Sequence, residues 1–289
     1  MSANHAAFNL IFRFVENYIS PVAGRISSQR HVMAIRDGFI SAMPFMIVGS
    51  FLLVFAYPPF SPDTTWGFAR AWLDLAKEFE GRILTPFDMT MGIMSIYICA
   101  AIAYNLGKHY EKTNQLDPFM CAMLSIMAFL LVAAPKTNGN LPVDSLGGTG
   151  IFTAILVAVY CVEMMRFLKA HNIGIRLPDQ VPPMIKNSFD LLIPVLVVVL
   201  TLYPLSLLIQ HHFDMLIPQS IMAIFKPLVS AADSLPAILL AVLVGHLLWF
   251  AGIHGAAIVS GMLQMFWLTN LGMNQQALAQ GAPLPHIFM

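Results

Sequence analysis

Charged side chains are scarce in this chain: only 10% of its 289 residues are Asp, Glu, Lys or Arg. Soluble domains carry about 25% charged residues, whereas 58% of this sequence is hydrophobic and its mean hydropathy is +0.73. This composition excludes an ordinary soluble domain and predicts an integral membrane protein. The formal net charge is zero, so no overall positive field favours nucleic acid, and we expect no nucleic-acid partner.

Cysteines and the signatures of catalytic sites are also scarce. Cys99, Cys121 and Cys161 lie inside apolar runs without CxxC or metal-ligand spacing, so we expect them to be small buried hydrophobic residues. The sequence has no Walker A, HExxH or nucleophile-elbow motif, and no GxGxxG after a strand. We therefore expect no catalytic residue, no cofactor and no metal in this chain, and any chemistry would belong to a partner.

Five apolar runs of roughly membrane-spanning length alternate with short polar segments. They cover approximately residues 32–57, 86–106, 118–134, 149–168 and 191–209. Amphipathic patterns over residues 5–19 and 211–233, and the connector that holds Trp66, Phe68 and Trp72, suit helices at the membrane interface. The helix predicted over residues 5–19 could instead dock on the protein's own surface. The sequence thus predicts an all-α integral membrane protein, a multi-span helical bundle with amphipathic interfacial helices.

Lysine and arginine are divided unequally between alternate loops. Ten of the 15 lie before or at the start of the first predicted span, between spans two and three, or between spans four and five, and five lie in the other loops. Because cytoplasmic loops carry an excess of these residues, we predict a cytoplasmic N-terminus.

The stretch 237–257 (AILLAVLVGHLLWFAGIHGAA) is the most unusual part of the chain. An apolar run carries His246 and ends on a histidine, His254, in the motif Gly-Ile-His-Gly that starts at Gly252 and closes at Gly255. Glycine lets a backbone unwind or approach a ligand closely, and an ionisable group at membrane depth indicates a functional site. An interfacial histidine bonded to a neighbouring carbonyl or a headgroup is an equal alternative.

Uncharged polar and aromatic residues follow in the same region. They are His246, Trp249, His254, Gln264, Trp267 and Asn270. Indole rings stacking on sugar rings, with amides and imidazoles bonding hydroxyls, would suit a neutral polar solute. The same side chains could also serve packing or the membrane interface. The last apolar run, 256–271, either spans the membrane or re-enters it, and its polar residues favour a re-entrant or protein-covered segment.

Seven short segments, spread over nearly the whole chain, carry a family resemblance. They are residues 21–24 (PVAG), 29–39 (QRHVMAIRDGF), 43–44 (MP), 92–95 (GIMS), 177–183 (LPDQVPP), 191–194 (LLIP) and 248–255 (LWFAGIHG). In identity and order they resemble the membrane permease subunit, enzyme IIC, of the bacterial sugar phosphotransferase system, in its lactose and cellobiose (chitobiose) family.

The resemblance implies a homodimeric, multi-pass permease in the lipid bilayer of the bacterial inner (plasma) membrane. Residues 1–188 would form an N-terminal membrane domain with the dimer-interface helices, and 189–289 the start of a sugar-transport domain. A β-linked disaccharide of the cellobiose, chitobiose or lactose type would enter from outside and be phosphorylated by a separate subunit, enzyme IIB. The chain would thus be a non-catalytic component of a phosphoenolpyruvate-dependent complex.

The resemblance also implies where the sugar binds. His254 would bond a sugar hydroxyl, and we take Gly252, Gly255, Trp249 and His246 as the other candidate substrate-binding residues. The family has a second sugar-binding group in a later Asn-Glu-Pro motif, which this sequence does not contain. We therefore expect a chain truncated at the C-terminus and a transport domain that is incomplete.

Two other functions compete with the permease. A truncated, non-transporting membrane scaffold would dimerise or associate with a full-length paralogue. An ion-coupled transporter would need carboxylates in mid-span, whereas Asp88 and Glu163 lie near predicted span ends and are expected to be interfacial caps or partners inside the bundle.

Overall fold

The computed structural model describes residues 28–135, 141–175, 189–250 and 255–287, together with the isolated residues 13, 17, 21, 24 and 25. All regular structure in these residues is helical. The described residues form nine successive α-helices: α1 (Arg30–Ala56), α2 (Gly67–Asp88), α3 (Met94–Asn114), α4 (Pro118–Ala133), α5 (Ile151–Ala170), α6 (Leu192–Phe213), α7 (Ile217–Ala232), α8 (Leu235–Phe250) and α9 (Gly255–Ala279). A 3-10 turn, Gly148–Gly150, precedes α5. Apart from Arg13 and Asn17, the predicted helix over 5–19 lies outside the described residues, and so does most of the linker after α5.

Helix α3 forms the centre of the N-terminal bundle. It packs against α1, α4 and α5, and its side chains Ile98, Ile102 and Leu106 are fully buried. The three cysteines lie in this core with no exposed surface, which confirms the prediction that they are small buried hydrophobic residues. The apolar character of α3 therefore reflects burial in protein.

Within the described part of the chain, three segments are long and apolar enough to cross a membrane: α1, residues 148–170 and α6. They confirm the predicted spans 32–57, 149–168 and 191–209. Helix α4 is a shorter apolar helix. Helices α7 and α8 meet at a bend of 71° and would add one crossing if the pair is counted as a single span.

The predicted span over 86–106 begins too early, because the helix is interrupted inside that run. Helix α2 ends at Asp88 and α3 begins at Met94. Thr90 donates its hydroxyl to the carbonyl oxygen of Pro86 at 2.8 Å, which closes the end of α2. A Cβ at Gly92 would lie 2.8 Å from the Cα of Asp88, so only glycine fits this turn. Hydropathy does not register such a helix break, since the residues around it stay apolar.

The helix ends gather at two opposite faces, which we name after residues of α1. At the Arg30 face α1 begins, α3 ends and α5 ends. There the Oε1 atom of Glu163 lies 2.9 Å from Nε2 of His31 and accepts the Tyr110 hydroxyl at 2.7 Å, while Oε2 accepts from Arg166 at 2.8 Å. Glu163 is thus a partner inside the bundle, as predicted.

At the Tyr57 face α1 ends beside the end of α9. The hydroxyl oxygen of Tyr57 lies 2.9 Å from Oε1 of Glu80 and 3.0 Å from the carbonyl oxygen of Ala279. The start of α3 meets the 141–150 loop here, through a hydrogen bond of 2.9 Å from the Ser95 amide to the carbonyl oxygen of Leu146. By the lysine and arginine distribution, the Arg30 face is the one predicted to be cytoplasmic.

Candidate functional site

Helices α8 and α9 form the hairpin that carries the candidate sugar residues. The two helices pack against each other, and the Gly-Ile-His-Gly motif connects them. Gly252 and His254 lie outside the described residues, while Gly255 is the first residue of α9. The structure therefore places both arms of the predicted site without describing its tip.

A cluster of hydrogen bonds, which we call the clasp, ties the two ends of the hairpin together. The clasp consists of Asp233, just before α8, with Asn274, His286 and Ile287 at and beyond the end of α9. Asn274 donates to the carbonyl oxygen of His286 and accepts from its amide, both at 2.9 Å. The Oδ2 atom of Asp233 lies 3.3 Å from Nδ1 of His286 and accepts from the Ile287 amide at 3.2 Å. The hairpin thus returns to the Tyr57 face, from which it started.

The length of α8 is consistent with a hairpin that does not cross the bilayer. Its 16 residues span about 24 Å at 1.5 Å per residue, less than the hydrocarbon thickness of about 30 Å. This geometry favours the re-entrant interpretation of the last apolar run, which stays a prediction.

An apolar groove of about 270 Å³ runs between α8 and α9. Its lining residues are Ile238, Ala241, Val242, Gly245, His246, Trp249, Val259 and Trp267. Three members of the polar and aromatic set therefore meet in one place. Gln264 and Asn270 do not line the groove, and Asn270 is fully buried.

His246 is oriented by its own helix. Its Nδ1 atom lies 2.7 Å from the carbonyl oxygen of Val242, and since a carbonyl only accepts, Nδ1 carries the proton. In the neutral ring Nε2 is then an acceptor. Trp249, at the same groove, is 55% exposed. The groove can thus offer an acceptor and large aromatic surfaces to a solute.

A second cavity, of about 350 Å³, lies at the Tyr57 face where the N-terminal bundle meets α9. Among the described residues, four polar side chains line it: Asp88 at the end of α2, Asp144 in the loop before α5, and Gln276 and Gln280 at the end of α9. Desolvation by partial burial raises the pKa of the Asp88 carboxyl. No sequence pattern predicts this cavity, because its polar residues come from segments far apart in the chain.

Residues 36–289 match the profile of the family described as "Phosphotransferase system, EIIC". The chain belongs to this family. The membership confirms the resemblance seen in the sequence. It also agrees with the helical architecture and with the membrane location of this EIIC chain.

Known members of the family align with almost the whole chain. It is 33% identical to the "PTS system cellobiose-specific EIIC component" of Geobacillus stearothermophilus, over 95% of this chain and 63% of that protein. It is also 33% identical to the "PTS system lactose-specific EIICB component" of Streptococcus mutans, over 90% of this chain and 45% of that protein.

A solved structure matches the fold of the EIIC chain. It is the transporter ChbC, the IIC component of the N,N'-diacetylchitobiose-specific phosphotransferase system, with a TM-score of 0.82 and 32% identity over 96% of this chain. The match extends over 66% of ChbC. The EIIC chain thus spans less than two thirds of the length of each of these three proteins.

Proposed function

We propose that this EIIC chain is the membrane permease subunit of a sugar phosphotransferase system and takes a β-linked disaccharide of the cellobiose, chitobiose or lactose type. The observation that carries the proposal is the α8–α9 hairpin, in which the Gly-Ile-His-Gly motif joins two arms that bring His246, Trp249 and Trp267 to one groove. The names of the cellobiose, lactose and chitobiose relatives support this substrate class.

The groove chemistry suits a sugar better than an ion. An indole face offers apolar surface to the C–H side of a sugar ring, and Nε2 of His246 can accept a bond from a hydroxyl. His254 would bond a further hydroxyl from the connection between the arms, and Gly252 and Gly255 would let the backbone approach the ring. All five candidate residues thus belong to one hairpin.

Phosphorylation would belong to a separate enzyme IIB. The relative named EIICB carries both component letters in one name, which supports a IIB partner for this chain. We place the N-terminus and the Arg30 face in the cytoplasm, because the excess of lysine and arginine lies there. The IIB subunit would act from that side, and the complex would draw its phosphoryl group from phosphoenolpyruvate.

The assembly we propose is a homodimer in the bacterial inner membrane. Residues 1–188 would supply the dimer interface and residues 189–289 would begin the transport domain. Helix α1 exposes Phe51, Phe55 and Val48 by about half of their surface or more (63%, 55% and 52%). Such large apolar side chains suit contact with lipid or with a second copy.

Calorimetric titration of cellobiose and of chitobiose into the detergent-purified chain tests the proposal. We expect saturable binding by the wild type that His254→Ala and Trp249→Ala each weaken at least tenfold, about 1.4 kcal/mol. Trp66→Ala is the matched control, because Trp66 is a similarly exposed indole (63%) next to α2, away from the groove. Wild-type protein that binds neither sugar, or variants that bind as tightly as Trp66→Ala, would contradict the proposal.

A further inference from the structure

The cavity at the Tyr57 face is built from three separate segments of the chain. Asp88 closes α2, Asp144 precedes the 3-10 turn, Gln276 lies in the last turn of α9, and Gln280 directly follows that helix. Its volume of about 350 Å³ lies at the lower end of the range of roughly 300–1,000 Å³ that is typical of small-molecule pockets.

Backbone contacts hold the walls of this cavity in place. A Cβ at Gly148 would lie 3.0 Å from the amide nitrogen of Met273 and 3.1 Å from the carbonyl carbon of Gly272, so the turn and α9 meet backbone against backbone. Ser95 fixes the same loop to α3, through its amide to Leu146 and its hydroxyl to the carbonyl oxygen of Gly147. The segments that carry the polar side chains are therefore held rigidly relative to one another, which lowers the entropic cost of binding.

The lining groups match the hydroxyls of a neutral sugar. Two carboxylates accept hydrogen bonds, and two amides both donate and accept. No Lys, Arg or His of the described residues lines the cavity, so it disfavours a phosphorylated sugar. The described residues also contain no group of three or more His, Cys, Asp or Glu side chains that could hold a metal ion. A neutral polyhydroxylated solute is thus the ligand class that fits.

We propose that this cavity is a second sugar subsite, open to the non-cytoplasmic side, which receives the sugar before it reaches the hairpin. The inference rests on the proposed permease function and on the orientation given by the lysine and arginine distribution. Helix α9 connects the two places, since Trp267 faces the groove and Gln276 lines the cavity. Nine residues separate them, which is about 14 Å along the helix.

Cysteine labelling with a membrane-impermeant maleimide tests the subsite in intact cells. The native cysteines have no exposed surface, so only an introduced thiol reacts. Val143→Cys is the reporter, because Val143 lines the cavity, is 50% exposed and contributes no polar group. Leu141→Cys is the matched control, two residues away, 60% exposed and outside the lining.

We expect cellobiose at ten times the Kd for this cavity to slow labelling of Val143→Cys about tenfold, since about 90% of the cavities are then occupied. Labelling of Leu141→Cys should be unchanged. Adding Gln276→Ala to the reporter should abolish this protection, whereas adding Trp249→Ala should keep it. A thiol that reacts only in inverted vesicles would overturn the inference, as would protection that survives Gln276→Ala or needs Trp249.

The two measurements distinguish failure of the second subsite from failure of the proposed permease function. If the wild type binds cellobiose in the calorimeter while Val143→Cys labels at an unchanged rate, the second subsite is overturned and the permease proposal stands. If no sugar binds and none protects, both are overturned.

Discussion

The clasp at the ends of the hairpin makes a quantitative prediction for Asn274→Ala. Asn274 is 9% exposed and makes two hydrogen bonds of 2.9 Å with the backbone of His286. Each bond contributes about 1 kcal/mol net, so the substitution should weaken the clasp by about 2 kcal/mol. Because 1.36 kcal/mol is a factor of ten, the equilibrium constant for opening the ends of the hairpin should rise roughly 30-fold.

Hydrogen exchange measured by mass spectrometry on the detergent-purified protein detects this opening. The backbone amides of the first turns of α8 and the last turns of α9 should lose protection roughly 30-fold. Amides of α3 should be unaffected, because α3 lies in the N-terminal core. Asn105→Ala is the matched control, since Asn105 donates to the carbonyl oxygen of Ala101 within its own helix at 2.8 Å.

Two results would refute this account of the clasp. Unchanged protection in α8 and α9 would show that Asn274 does not hold the ends of the hairpin together. An equal loss of protection in α3 would show that the substitution destabilises the whole protein and does not open the hairpin.

Two further substitutions test the packing. Glu163→Gln should lower the free energy of unfolding by only about 1 kcal/mol, and the thermal midpoint by about 2 °C, because a third of the Glu163 side chain is exposed. A midpoint at or above the wild-type value would contradict the role of Glu163 as a partner inside the bundle. Gly272→Ala should lower the free energy of unfolding by roughly 1–3 kcal/mol more than Gly245→Ala does. The new Cβ at Gly272 would meet Cα of Gly148 at 3.1 Å, whereas at Gly245 the nearest atom is 3.8 Å away. Equal stability of the two variants would refute the close backbone contact between Gly272 and Gly148.

The helices with clear apolar runs could be predicted from the sequence to within a few residues. The predicted span 32–57 became α1, because Gln29 caps its start through a bond to the Val32 amide and Pro58 and Pro59 follow its end. The helix break before α3 could not be predicted, because it depends on a close backbone contact at Gly92 inside a continuing apolar run.

The hairpin site could likewise be predicted from the sequence, whereas the cavity at the Tyr57 face could not. The Gly-Ile-His-Gly motif and the indole of Trp249 are local features, so the sequence alone predicted a site there. Asp88, Asp144 and Gln276 are brought together only by the tertiary packing of α2, the 141–150 loop and α9. Their grouping could not be predicted from periodicity or composition, which describe only neighbours along the chain.

The most direct test of the permease function is sugar phosphorylation across a sealed membrane. Vesicles that contain the purified chain, with a phosphorylated IIB subunit enclosed, would be given labelled cellobiose on the outside. The permease account predicts labelled sugar phosphate inside the vesicles, and none with His254→Ala. Labelled sugar that stays outside and unphosphorylated with the wild type, while the same IIB phosphorylates sugar through an established EIIC in parallel vesicles, would contradict the account.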